Sequence, residues 1–200
     1  LLIGVLSTTP DINIIIKGDK SLNKRNMSKL TSIMSKFGAE FYPKNKFNLP
    51  LKIISSDMPT AIIYKSGVSS QLKSATILAS LNAFGRSTIL EDINSQSRDH
   101  TENILIKNLN TFKIKKNRKK NVIKINGKTD INSFKISVFG DPSSAAFPAA
   151  IALFTPNSFL KIKNVGLNPK RIGFYNLLKM HGAKIKYKNI KKNSINELVG

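Results

Sequence analysis

Three arginines stand 73 residues apart along the chain: Arg25, Arg98 and Arg171. The chain holds only five arginines against 28 lysines, so two equal spacings point to one recurring structural unit. A guanidinium is a planar fork of donors suited to bidentate binding of phosphate or carboxylate. Ser69-Ser70-Gln71 adds two hydroxyls and an amide ahead of an apolar run, and Ser97-Arg98 joins a hydroxyl to a cation. Placed at helix starts, such groups act beside amide donors and a positive dipole end, which favour anions. Gathered in one place they would serve a multiply anionic ligand. Taken singly, each is also ordinary capping or an exposed charge.

The elements that must position these groups follow from the pattern around each arginine. Ile12–Ile16, Ser87–Leu90 and Phe159–Ile162 are short apolar or β-branched runs closed by turn formers, which predicts a strand and its exit loop. After each arginine the apolar period becomes helical, through Met27, Leu30, Ile33 and Met34, then Ile104, Leu105 and Leu109, then Phe174, Leu177, Leu178 and Met180. Phe37-Gly38-Ala39 and His181-Gly182-Ala183 end two of these helices with a glycine C-cap. A hairpin-like strand pair follows, clearest at Phe112–Lys115 and Val122–Ile125. Ser69-Ser70 and Ser143-Ser144 open two further helices with N-cap hydroxyls, and Leu1–Leu6 reads as the interior of another. The repeating unit is therefore strand, helix, strand, helix, strand, strand, present as half a unit, a whole unit and half a unit.

Composition bounds the function classes. Two hundred residues, 40% of them hydrophobic, suit one or two domains with a buried core. No apolar stretch approaches the roughly 20 residues of a membrane span. Leu1–Leu6 is too short for a signal peptide and has no basic residues ahead of it. The first residue is not methionine, and the chain is expected to be an internal fragment. Cysteine is absent, which excludes disulfides and cysteine-ligated metal and fits a reducing, cytoplasmic setting. The net charge of +22 suits phosphate backbones. It suits equally a lysine-rich coding bias with small anionic substrates, because the lysines are spread along the chain and the dense run Lys113–Lys124 has no interleaved aromatics.

His100 and His181 lie outside any metal-ligand spacing, so no metal site is expected. Gly-x-Ser-x-Gly, P-loop and Gly-x-Gly-x-x-Gly patterns are missing, which removes the usual hydrolase, P-loop and dinucleotide signatures. Gly140-Asp141-Pro142-Ser143-Ser144-Ala145-Ala146-Phe147 reads locally as a turn, a helix-entry proline, a double serine cap and a small-residue packing face.

Four motifs in order carry a specific likeness: Ser69-Ser70-Gln71 with Lys73-Ser74-Ala75, Ser97-Arg98-Asp99-His100-Thr101-Glu102, Gly140–Phe147, and Asn168-Pro169-Lys170-Arg171. With Gly18-Asp19-Lys20-Ser21-Leu22 leading to Arg25, the chain resembles the 5-enolpyruvylshikimate-3-phosphate synthase family along its whole length, although Asn26 stands where proline is usual. The resemblance covers less than half of a family member. It implies an α/β fold, an inside-out α/β prism of two globes built of repeated β-α-β-α-β-β units, incomplete here. Residues 1–139 would belong to the N-terminal globe and 140–200 would start the C-terminal one.

It also implies transfer of the enolpyruvyl group of phosphoenolpyruvate to the 5-hydroxyl of shikimate 3-phosphate, with release of phosphate and no metal or organic cofactor. On that likeness Ser69, Ser70, Gln71, Ser97 and Arg98 would hold shikimate 3-phosphate, and Arg25 and Gln71 would hold phosphoenolpyruvate. Arg171 receives no ligand role, and no catalytic acid or base falls within the chain. The partners expected are these small anions, with no nucleic acid and no membrane. The full-length protein is expected to be a cytoplasmic monomer, and the fragment alone inactive. Two alternatives stay open: UDP-N-acetylglucosamine enolpyruvyl transferase, which shares fold and chemistry, and a basic nucleic-acid-binding repeat protein.

Overall fold

A computed structural model describes all 200 residues. They fall into two units, Leu1–Ser97 with Leu109–Asn132, and Arg98–Asn108 with Ser133–Gly200.

In the first unit the chain runs through α1 (Leu2–Leu6), β1 (Asn13–Ile16), α2 (Ser28–Ser35), β2 (Glu40–Tyr42), β3 (Leu51–Ile54), β4 (Ile63–Ser66), α3 (Ser70–Leu81), β5 (Arg86–Asp92), β6 (Phe112–Lys116) and β7 (Lys120–Asn126). β3 pairs antiparallel with β1 and with β2, so that Ile53 faces Ile14 on one side and Phe41 on the other. A second sheet has the order β4-β5-β7-β6. Only β4 and β5 are parallel, because α3 carries the chain back between them.

The centre of this unit is a helix rather than a sheet. From Lys73 to Ser80 every residue of α3 except Leu78 is buried, whereas β4 leaves Ile63 and Lys65 exposed. Small residues make this possible. A Cβ added at Gly4 of α1 would lie 2.5 Å from the Ala75 carbonyl oxygen, so the two helices meet backbone to backbone. Two of its buried hydroxyls bond within the helix, Thr76 Oγ1 donating to Leu72 O at 2.8 Å and Ser80 Oγ to Thr76 O at 2.7 Å. Met34, Phe37, Phe41, Ile53, Ala79 and Ala83 form the core around it. Burial of each large side chain there stabilises the unit by about 1.5–3 kcal/mol. α2 ends at Gly38 with φ +99°, as the Phe37-Gly38-Ala39 pattern predicts.

The second unit contains α4 (His100–Asn108), α5 (Pro142–Phe154), α6 (Gly173–Met180) and the two-residue strands β8 (Lys191–Lys192) and β9 (Leu198–Val199), paired antiparallel. Read in chain order, β4-α3-β5-α4-β6-β7 is the whole β-α-β-α-β-β unit, and α5, α6, β8 and β9 follow the same order.

Two local features differ from what the sequence predicts. Phe159–Ile162 forms no strand; only single bridges form nearby, Val165 to Gly140 and Gly166 to Val199. Phe159 is 89% exposed, and a strand persists only where its amides and carbonyls find a partner. The cap of α5 is Asp141 rather than the serine pair: its carboxylate accepts from Ser143 N at 3.2 Å and Ser144 N at 3.1 Å. Pro142 takes the first helical position. The apolar stripe of α6 is open, with Leu177 and Met180 exposed, while Tyr175 is buried and donates its hydroxyl to Pro142 O at 2.6 Å.

Candidate anion-binding site

At the carboxyl end of the only parallel strand pair, β4 feeds α3 through Gly67-Val68-Ser69, and β5 feeds a 3₁₀ turn that leads to Ser97. The carboxyl ends of parallel strands are where helix N-termini gather and where α/β proteins bind ligands. Ser69 caps α3, its Oγ accepting from Leu72 N at 3.3 Å. A hydroxyl that accepts in this way keeps its own proton for a ligand oxygen. Ser70 follows in the first helical position, half-buried, and Gln71 is exposed.

Ser97 is brought to this edge by a side chain that the sequence reading does not single out. Glu91 of β5 is 2% exposed, and its Oε1 accepts from Lys73 Nζ at 2.7 Å, Ser97 N at 3.0 Å and Ser97 Oγ at 3.3 Å. Its Oε2 accepts from Asn121 Nδ2 at 3.1 Å. Lys73 lies one turn into α3 and is itself fully buried. Burial pushes the Glu91 carboxyl up, but the bonds from Lys73, Asn121 and the Ser97 amide outweigh it and hold the group below the usual carboxylate range. The cluster therefore enters as a neutral ion pair, leaving the neighbouring hydroxyls to meet an anion without a bare carboxylate charge beside them.

Lys73 and Glu91 carry a signal that sequence alone contains. Lys73 is the one charge in the otherwise uncharged Ser70–Leu81 run, and Glu91 falls in the inward row Ser87, Ile89, Glu91. A cation on a buried helix face and an anion on a buried strand row require each other.

The remaining predicted residues sit elsewhere. Arg25 closes a 3₁₀ turn, Leu22–Lys24, after β1, and is exposed; it belongs to the segment leading from the three-stranded sheet. Arg98 belongs to the second unit and is half-buried just ahead of α4. The start of α4 is fixed by a second polar cluster within that unit. Glu197, 2% exposed, lies 2.7 Å from His100 Nδ1 and accepts from Asn103 Nδ2 at 3.0 Å and Asn168 Nδ2 at 3.2 Å. Asn168 also donates to Asp99 at 2.9 Å, and Lys170 pairs with Asp99 at 3.0 Å. Burial raises the Glu197 carboxyl; the bonds from His100, Asn103 and Asn168 bring it below its ordinary value. Arg171 pairs with Asp141 and donates to Ser143 Oγ at 2.9 Å, so it braces the start of α5.

What the first unit offers chemically is a cradle of hydroxyls at a helix N-terminus, backed by a buried, charge-neutral pair. No group of three or more His, Cys, Asp or Glu is placed to hold a metal ion, and no helix is long and apolar enough to cross a membrane.

The profile of one protein family, described as EPSP synthase (3-phosphoshikimate 1-carboxyvinyltransferase), matches residues 1–198. Among curated relatives, the 3-phosphoshikimate 1-carboxyvinyltransferase of Roseobacter denitrificans is 37% identical over 190 residues, covering 94% of this chain and 42% of the relative. That of Petrotoga mobilis is 40% identical over 203 residues, covering 100% and 45%. The solved EPSP synthase of Acinetobacter baumannii superposes with a TM-score of 0.78 at 30% identity, covering 100% of this chain and 44% of that one. The chain thus spans less than half the length of the proteins it matches.

Proposed function

Because the chain belongs to the EPSP synthase (3-phosphoshikimate 1-carboxyvinyltransferase) family, we propose that it supplies part of the site that transfers the enolpyruvyl group of phosphoenolpyruvate to the 5-hydroxyl of shikimate 3-phosphate. Phosphate leaves, and in the net reaction the hydroxyl proton leaves with it. The observation that carries this reading is the convergence of the α3 cap and Ser97 at the carboxyl end of β4 and β5, held by Glu91. Both substrates are anions, and aligning them demands donors and cations that are set before they arrive.

In this reading Ser69, Ser70, Gln71, Ser97 and Arg98 hold shikimate 3-phosphate, while Arg25 and Gln71 hold phosphoenolpyruvate. The acid and base are not assigned to residues of this chain. The division of the polypeptide into an N-terminal globe through residue 139 and a C-terminal one from 140 belongs to the same proposal, as does action in the cytoplasm as a monomer on small anions. The chemistry proposed, addition to the enol carbon and loss of phosphate, calls for no redox or group-carrying cofactor.

Phosphate release by the whole protein decides the matter. Release with shikimate 3-phosphate and phosphoenolpyruvate, and none when UDP-N-acetylglucosamine is the acceptor, is the expected result. Release with the UDP-sugar alone would sink the assignment. The isolated 200-residue chain is expected to show no turnover in the same assay.

A further inference from the structure

Glu91 collects donors from three separate pieces of chain: Lys73 on α3, Ser97 beyond β5, and Asn121 on β7. Stability alone does not account for such a group. A buried ion pair is often replaceable by apolar side chains of similar volume at no loss. What an apolar pair cannot do is hold the Ser97 amide, which sits in irregular backbone and has Glu91 Oε1 as its acceptor. Lys73 lies one turn from the Ser69 cap, so a single carboxylate fixes the α3 start and Ser97 relative to each other.

We propose that Glu91 is a positioning residue for the shikimate 3-phosphate site, acting through Ser97. This rests on the functional reading above. The two bonds to Ser97 differ in a way that suits the role. The amide bond is 3.0 Å and anchors the loop; the hydroxyl bond is 3.3 Å, long for an O–H donor. The hydroxyl is therefore the bond to give up. When a phosphate arrives, the Ser97 O–H rotates to a phosphate oxygen while the amide keeps the residue in place. Lys73 keeps the carboxylate neutralised, so the incoming anion does not meet an unbalanced negative charge.

The test uses the whole enzyme with Glu91→Gln, Ser97→Ala, the double variant Glu91→Gln/Ser97→Ala, and Lys73→Met/Glu91→Gln. Glu91→Gln leaves an amide oxygen in place but takes away the charge that strengthens the bonds it accepts, and is expected to raise the KM for shikimate 3-phosphate roughly tenfold. The KM for phosphoenolpyruvate should rise clearly less, since of its two proposed ligands Arg25 lies on a different segment and Gln71 is an exposed side chain of α3 that Glu91 does not touch. Lys73→Met/Glu91→Gln replaces both members of the buried pair together, so the charge of Lys73 no longer stands beside a neutral amide. It should recover the denaturation midpoint while the KM for shikimate 3-phosphate stays high. Recovery of that KM along with stability would show a merely structural role and overturn the proposal. So would simple additivity of Glu91→Gln and Ser97→Ala, since a residue acting through Ser97 has little left to lose once that hydroxyl is gone. Should the unsubstituted enzyme fail to turn over shikimate 3-phosphate, the functional reading fails and the anchor is read separately. Hydrogen exchange at the Ser97 amide is expected to quicken in Glu91→Gln, and an unchanged rate would overturn the anchor itself.

Discussion

The residues that carry the site divide by how far their partners lie along the chain. Arg25, Arg98 and the Ser69 cap are legible in the sequence because their neighbours define them: a strand before, a helix after, a hydroxyl at the first turn. The sequence hints that Lys73 and Glu91 are buried, but not that three donors meet on Glu91: Lys73 and Asn121 lie 18 and 30 positions away, and they arrive only through the return of α3 onto β5 and the antiparallel pairing of β5 with β7. Arg25 is open to a direct check. If it clasps the phosphate of phosphoenolpyruvate, Arg25→Lys should raise the KM for that substrate roughly tenfold, because a point charge replaces a bidentate fork; an unmoved KM would remove the assignment. The buried carboxylates give a pH dependence. Glu91 and Glu197 are both held below the ordinary 4.5, burial being outweighed by the bonds they accept. Between their folded values and 4.5 the unfolded chain binds more protons, so stability rises with pH across that window. Their contribution is complete above 4.5 and disappears as the pH falls through the folded values. Urea midpoints should therefore be flat from about pH 7 to about pH 5 and decline below, with a shallower decline in Glu91→Gln.

Among the elements, the order strand, helix, strand, helix, strand, strand is readable because each short apolar or β-branched run is closed by turn formers and gives way to a helical apolar period. The missing strand at Phe159–Ile162 marks the limit of that reading. Its residues have strand character, but pairing is a property of two segments, and none is hydrogen-bonded to it here. The Gly140–Phe147 motif shows the converse. Its serines look like caps, yet the neighbouring Asp141 takes that position because a carboxylate is the stronger acceptor. Packing of α1 on α3 was hidden as well, since it depends on the absence of a side chain. Gly4→Ala should expose it. The added methyl meets the Ala75 carbonyl oxygen at 2.5 Å and its Cα at 2.9 Å, both backbone atoms that cannot swing aside. A loss of about 1–3 kcal/mol is expected, as for overpacking in a core, read as a lower urea midpoint; an unchanged midpoint would mean the two helices are not tightly apposed.

For the molecule as a whole, the net charge of +22 is the property most easily misread. Lys113, Lys115, Lys116, Lys119, Lys120 and Lys124 are exposed on or between β6 and β7, where no aromatic side chain offers a stacking surface for bases. Attraction of this kind is counterion release alone and falls steeply with salt. Gel-shift titration with a DNA duplex at about 0.15 M salt should accordingly show no tight complex; a submicromolar one, at about that ionic strength, would revive a nucleic-acid role. The same abundance of lysine gives the Lys73–Glu91 pair another use. Of 28 lysines, Lys73 is the one whose side chain is among the largest fully buried. An acylating reagent in water should modify the exposed amines quickly and leave Lys73 untouched. Its modification then requires that α3 leave β5, so the mass-spectrometric appearance of label at position 73 would time the opening of the first unit without any engineered probe.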